Sequence, residues 1–350
     1  MTKREIVKTV LDGKQPPYVP WHCGFTKDPL AVLSEHLGTT DFDTALDNHF
    51  VKLGHSTGFV EPLGDERYKD PFGVIWDRKI EKDIGIVEGV VLEEPTLEGY
   101  EFPDPLDDVY FRDIPAKLSK YGDCFRVYCI GFSLYERAWA LRGMENALLD
   151  FHLNPDFMHD LLDRICEYNI ARVKKALEYD IDAVYFGDDW GQQSGLIMGP
   201  KIWREFIRPR VERMYAVTRD AGKYQLIHSC GDIHELIDDL IGMGVNCINP
   251  FQPEALDVNE CMTKYRGKVT FHGGLSTQRT LAHASPEDVR NETRGLLELG
   301  ADGSYIFAPS HAVEQNTTLE NMLAFIEEMR SQGGYRELVN REQILQSGKA

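Results

Sequence analysis

A (β/α)8 barrel with an irregular N-terminal insertion is the fold this sequence predicts, and three observations predict it. From about residue 125 onward, short apolar runs alternate with helix-patterned segments. Such alternation marks a parallel sheet crossed by helices. Polar residues gather at the C-terminal ends of the apolar runs, where barrels of this kind carry their sites. The chain has 350 residues and 42% hydrophobic content, with no low-complexity segment or clear repeat, so a single barrel domain over 1–350 accounts for its length. An open, doubly wound sheet is the rival arrangement of the same elements.

The elements follow in order. Residues 3–12 read as a short helix closed by Asp12-Gly13 and the turn Gln15-Pro-Pro17, and Tyr18–Phe25 as a first strand. Residues 28–56 read as helical pieces. Residues 57–112 are rich in Pro, Gly and Asp, and Gly85–Leu92 has the pattern of a hairpin, so this stretch is expected to be a capping insertion. Strand Phe125–Phe132 leads into helices through Tyr179. Ala183–Trp190 precedes a helix over 201–221, Tyr224–Gly231 precedes 233–243, and Cys247–Phe251 precedes 258–265. Lys268–Gly274 precedes 286–299, and Gly303–Ser310 precedes 319–330. Asn154-Pro-Asp156 and Ser285-Pro-Glu-Asp288 have the composition of helix starts, with proline in the first turn. The tail, 334–350, includes an amphipathic segment, 336–345, able to pack on the barrel or on a second copy in a homodimer.

Composition narrows the function. A net charge of −19 argues against nucleic-acid binding, which needs a basic footprint. No apolar stretch is long enough to span a membrane, and the N-terminus lacks a signal-peptide pattern. Seven scattered cysteines suggest reduced thiols and a cytoplasmic location rather than a disulfide framework.

The strand ends carry the chemistry. Side chains alternate faces along a strand, so His228 and Cys230 in Tyr224-Gln-Leu-Ile-His-Ser-Cys-Gly231 point the same way. An imidazole and a thiol together are half of a zinc site, and a catalytic zinc needs about three protein ligands. His311, just past the last strand, is the chosen third ligand and His272 its competitor; Cys23 and His22 are a weaker pair. A soft thiolate with imidazoles favours zinc over magnesium or calcium. The bland alternative makes Cys230 a buried apolar thiol and the histidines pocket hydrogen-bonders. Asp188 and Asp189 are candidate catalytic acids or metal supports, or simply helix caps, and Tyr135 joins them as a catalytic candidate. Phe25, Phe132, Trp190, Gln192, Gln193, Asn249 and His272 are candidate substrate-binding residues, with Trp139 and Phe186 as further aromatics, though aromatics at strand ends are more often plain core.

The assembled motifs resemble the uroporphyrinogen decarboxylase superfamily. Three blocks carry the likeness: Gly187-Asp-Asp-Trp-Gly-Gln-Gln with Gly199–Pro209; His228-Ser-Cys-Gly-Asp-Ile; and Phe271-His-Gly-Gly-Leu-Ser with Phe307-Ala-Pro-Ser-His and Thr318-Leu-Glu-Asn321. The resemblance implies a (β/α)8 barrel and one of two chemistries. Decarboxylases of the superfamily use no metal and grip their substrate's carboxylates through an arginine-rich N-terminal motif. Their cobalamin-dependent methyltransferase relatives bind zinc through a His-x-Cys pair and a distant Cys. Here Tyr18–Lys27 contains no arginine, and Lys27 alone is a poor substitute for bidentate guanidinium groups. The His-x-Cys pair is present, but His311 stands where the distant Cys is expected. The resemblance therefore implies a zinc-dependent methyltransferase that moves a methyl group from a small methylated substrate, such as a methoxylated aromatic, to a corrinoid on a partner protein. A metal-free decarboxylase of a smaller acid is the alternative, and a ligand-binding barrel without turnover the third.

Overall fold

The computed structural model of the protein describes residues 1–54 and 61–347. Residues 57–60 of the expected insertion and 348–350 of the expected tail lie outside the described residues. The chain divides into two compact units: a central one, Val51–Gly122 with Arg126–Asn246, and a terminal one, Met1–Phe50 with Asp123–Phe125 and Cys247–Ala350. The fold is α/β, with a parallel strand system in each unit.

In the central unit, β1 (Phe50–Leu53) is the first strand, and four short strands follow: β2 (Glu61–Gly64), β3 (Arg67–Lys69), β4 (Ile75–Asp77) and β5 (Ile86–Glu88). These four form a separate antiparallel sheet in chain order. The expected hairpin over Gly85–Leu92 is thus only the edge strand β5, paired to β4. Beyond Gly89 the chain leaves the sheet, and Val91 and Leu92 donate instead to the Leu141 carbonyl. β6 (Phe125–Ile130), β7 (Ala183–Gly187) and β8 (Tyr224–His228) are the parallel core, β6 beside β1, with registers Val127–Ala183 and Gly187–His228. Their near-continuous burial is what a sheet covered on both faces requires. The strand at 50–53 falls where the sequence predicts helical pieces.

Helices Tyr135–Arg142, Met144–Leu153 and Pro155–Ala176 follow β6. Gly143, at φ 81°, separates the first two, and Pro155 opens the third. The helix expected over 201–221 is broken by a π turn at Trp203–Ile207. Pro209 has no N–H to donate to the carbonyl four residues back, which is a recognised cause of such irregularity.

In the terminal unit, β9 (Cys247–Phe251), β10 (Thr270–Leu275) and β11 (Tyr305–Pro309) are parallel, with β10 in the middle. Tyr18–Phe25 does not form the expected strand. It touches β11 through an isolated bridge at Trp21–Phe307, with a second at Phe25–Val313. Pro20 deprives this stretch of one ladder donor. The predicted helix start at Ser285 is a capping box with Pro286 in the first turn: Ser285 Oγ accepts from the Asp288 N–H at 3.3 Å, and the Ser285 N–H donates to the Asp288 carboxylate at 3.2 Å. The last helix spans Gly333–Ser347. All seven cysteines are free. Among the described residues, no helix is long and apolar enough to cross a membrane.

Candidate functional site

The exits of β7 and β8 in the central unit carry the densest chemistry. His228 is the last residue of β8, and Cys230 lies two residues on. The His228 Nε2 and Cys230 Sγ atoms are 3.4 Å apart. Asp189, just past β7, accepts the Cys230 N–H at 2.8 Å through Oδ1, and the same oxygen lies 3.6 Å from His228 Nε2. Burial, reinforced by the charges of Asp189 and Glu136, pushes the Cys230 thiol well above its ordinary value. An uncompensated thiolate is therefore disfavoured here, and a cation would reverse that preference.

Backbone geometry brings the two loops together. Gly231 has φ 79°, and a Cβ placed there would lie 2.4 Å from the Gly191 carbonyl carbon. A Cβ on Gly191 would lie 2.6 Å from the Cys230 carbonyl oxygen. Each glycine is thus required by close approach of the other's backbone.

Asp188 is buried and takes on a holding role. Its carboxylate accepts the backbone N–H groups of Leu134 at 3.2 Å, Tyr135 at 3.0 Å and Glu136 at 2.8 Å, and the indole N–H of Trp190 at 2.6 Å. It therefore caps the helix Tyr135–Arg142 from a neighbouring strand, rather than the helix that follows it in sequence. Burial pushes Asp188 up to about 6, against those four hydrogen bonds, which pull it down.

Glu136, which the sequence reading missed, completes a cluster of three carboxyls. Burial, then the charges of Asp189 and Asp188, hold it well above the usual carboxylate range. Of the three, Glu136 is the one whose protonated form burial and neighbouring charge favour. Nothing in the local sequence marks this glutamate, because its neighbours Asp188 and Asp189 come from the exit of β7, distant in sequence. Spacing could have hinted at it: it is the third residue past Ser133, at the exit of the adjacent strand.

The other expected residues divide. Tyr135 is fully buried and its hydroxyl donates to the Met144 sulfur at 3.2 Å. Trp190 is also core: 1% exposed, edge-on to Trp203 and bonded to Asp188. Phe186 packs on Tyr215 in the same core. Phe132 has φ 52°, unusual for a bulky residue, and packs against Trp76 and Trp139. Gln192 and Gln193 are exposed.

In the terminal unit, both ring nitrogens of His272 are engaged, Nε2 with the His22 carbonyl at 3.2 Å and Nδ1 with Asn249 Nδ2 at 3.3 Å. His272 is thus held within the terminal unit, and Asn249 supports it. Cys23 is buried, and burial raises its thiol well above the ordinary value. His22 stacks on Phe50, and Phe25 stacks on Phe325. His311 is exposed, with Nδ1 3.5 Å from Glu314.

Comparison with known proteins gives concordant results. The profile of the family described as uroporphyrinogen decarboxylase (URO-D) matches residues 134–332. A uroporphyrinogen decarboxylase from Coxiella burnetii is 22% identical over 181 residues, covering 51% of this chain and 48% of that protein. One from Pseudomonas fluorescens is 24% identical over 254 residues, 66% of each. The chain thus spans about half to two thirds of the length of such relatives. Among solved structures, a methyltransferase from Methanosarcina mazei superposes with a TM-score of 0.69 at 17% identity, covering 94% of this chain and 98% of that one. That likeness is one of fold.

Proposed function

This chain belongs to the uroporphyrinogen decarboxylase family, and from that premise we propose that it is a zinc-dependent methyltransferase. In this reading it moves a methyl group from a small methylated substrate, such as a methoxylated aromatic, to a corrinoid carried by a partner protein. The family's (β/α)8 barrel would gather the strand exits at one mouth. In this proposal His228 and Cys230 supply two of the zinc ligands, and His311, the third ligand that the sequence selects, completes the set.

The observation that carries the reading is the His228–Cys230 pair. Zinc takes sulfur at about 2.3 Å and nitrogen at about 2.0–2.1 Å in a tetrahedron, which separates the two ligand atoms by about 3.6 Å. Nε2 and Sγ stand at 3.4 Å. The donor set therefore fits zinc. Zinc, when bound, supplies Lewis-acid stabilisation to the heteroatom that gives up the methyl group.

The chain's own residues do the rest. Asp189 fixes the Cys230 backbone through its N–H. Asp188, tied by Trp190 and three backbone N–H groups, sets the start of the Tyr135–Arg142 helix and so the place of Glu136. Burial and the charges of Asp189 and Asp188 favour the protonated form of Glu136, which suits it to give a proton to a departing alkoxide or phenoxide oxygen. Phe132, with Trp139, contributes apolar wall.

A metal-free decarboxylase is the second reading. The names of the sequence relatives favour it, as does Glu136, since a protonated carboxyl can also quench a carbanion. Against it, three of the buried arginines already hold aspartates: Arg137 with Asp70, Arg142 with Asp150 and Arg210 with Asp163. A polycarboxylate substrate needs cations that are not already paired.

The test is to incubate the protein with reduced cobalamin and a panel of methoxybenzenes and follow methylcobalamin spectroscopically, with and without chelation. Methyl transfer abolished by chelation and restored by zinc is expected. Release of carbon dioxide from a carboxylated substrate by fully chelated protein would favour the second reading instead.

A further inference from the structure

We propose that Asp232 is a positioning residue that sets the place of the Cys230 sulfur. The inference deepens the metal reading above and rests on it.

Seven hydrogen bonds and two glycines make a clasp at the β7 and β8 exits. The Asp232 N–H donates to the Gln192 carbonyl at 2.8 Å, and the Gln192 N–H donates to the Gly195 carbonyl at 2.9 Å. Asp232 Oδ2 accepts the Gly195 N–H at 3.2 Å, which closes a ring across the two loops. Asp232 Oδ1 accepts the His234 N–H at 3.1 Å and faces His234 Nδ1 at 2.7 Å, which orients the carboxylate. Between these bonds, Gly191 and Gly231 pass backbone against backbone with no room for a Cβ on either. On the other side of the crossing, Asp189 takes the Cys230 N–H, and Ser229 Oγ takes the Trp190 N–H at 2.9 Å.

Cys230 thus sits on a segment pinned at both ends to the loop that carries Asp189. The pin on its C-terminal side has a single side chain, Asp232. A residue that orients a metal ligand without touching the metal typically changes affinity by 10–100-fold when removed. The expectation for Asp232→Ala follows, because Cys230 then keeps its donor atom and loses the side-chain bonds that hold its C-terminal side.

The test uses the full chain stripped of metal and titrated with zinc against a chromophoric chelator. Asp232→Ala is expected to bind one zinc with a Kd raised about 10–100-fold and a melting curve close to wild type. Asp232→Asn, which keeps one acceptor oxygen, should fall between, and His234→Ala, which keeps the backbone N–H to Asp232 and loses only the imidazole that orients its carboxylate, should weaken binding less than Asp232→Ala. A wild-type Kd in a folded Asp232→Ala protein would overturn the inference. If wild-type protein binds no zinc, the metal reading itself fails, and amide hydrogen exchange decides the inference instead. Faster exchange at Gly195, Cys230 and Asp232 in the variant would then support the clasp, and unchanged exchange would overturn it.

Discussion

Replacing Arg137 by methionine tests whether the antiparallel sheet is fastened to the helix that carries Glu136. The Arg137 guanidinium is 3% exposed and lies 2.5 Å from the Asp70 carboxylate, itself 2% exposed. It also lies over the Phe72 ring at 4.1 Å. Asp70 is the hub of its loop: it accepts the Phe72 and Val74 N–H groups at 2.9 and 3.0 Å and the Trp76 indole at 3.2 Å. Breaking a buried ion pair from one side costs about 3–5 kcal/mol. The three remaining donors partly compensate Asp70, and loss of the desolvated cation–π contact adds about 1–2 kcal/mol. We expect Arg137→Met to cost about 4 kcal/mol. For cooperative unfolding of 350 residues, an unfolding entropy of about 2.1 cal/mol/K per residue makes that a Tm drop of about 5 °C. Urea denaturation of Arg137→Met, Asp70→Asn and the double variant gives the coupling energy directly. The double variant should fall short of the sum of the singles by at least about 1 kcal/mol. Additive losses, or a single-variant cost below about 1 kcal/mol, would refute the fastening.

Three further outcomes are expected. Gly231→Ala should cost about 2–5 kcal/mol by urea denaturation, combining about 1–2 for left-handed backbone with about 1–3 for overpacking. Gly38→Ala, at φ 67° with nothing within 4 Å of its Cβ, should cost only the backbone part. Glu136 is raised in the folded state, so its stabilising contribution is full below its unfolded value of about 4.3 and is lost as pH rises through the folded value. Glu136→Gln should therefore match metal-free wild type at low pH and exceed it increasingly toward pH 8, and a pH-independent difference would contradict this. His311→Ala should weaken zinc binding sharply while His272→Ala leaves it nearly unchanged; equal effects in a chelator competition would return the third ligand to question.

The repeating part of the fold was legible because its physics is local. Tyr224–His228 is apolar and bounded by a glycine break, and Ser285-Pro-Glu-Asp288 spells out its own capping box. The pairing of His228 with Cys230 was legible too, since two residues apart on an extended chain share a face. What escaped depends on distant chain. Phe50–Leu53 is too short to show a period, and Tyr18–Phe25 has the composition of a strand but is interrupted by Pro20 and meets β11 only at an isolated bridge. Glu136 looks like any helical glutamate until Asp188 and Asp189 are placed beside it. Asp188 looked catalytic because its four hydrogen-bond donors come mostly from residues 134–136. Trp190 looked like pocket lining, but its indole N–H needs a buried acceptor and finds Asp188.

Zinc-edge anomalous scattering from crystals of protein never exposed to chelator tests the metal reading most directly. One peak at full occupancy is expected, bonded to His228, Cys230 and His311 with a fourth position open, and absent from Cys230→Ala. A site with no peak in protein that still turns over substrate, or a peak from which His311 points away, would contradict it.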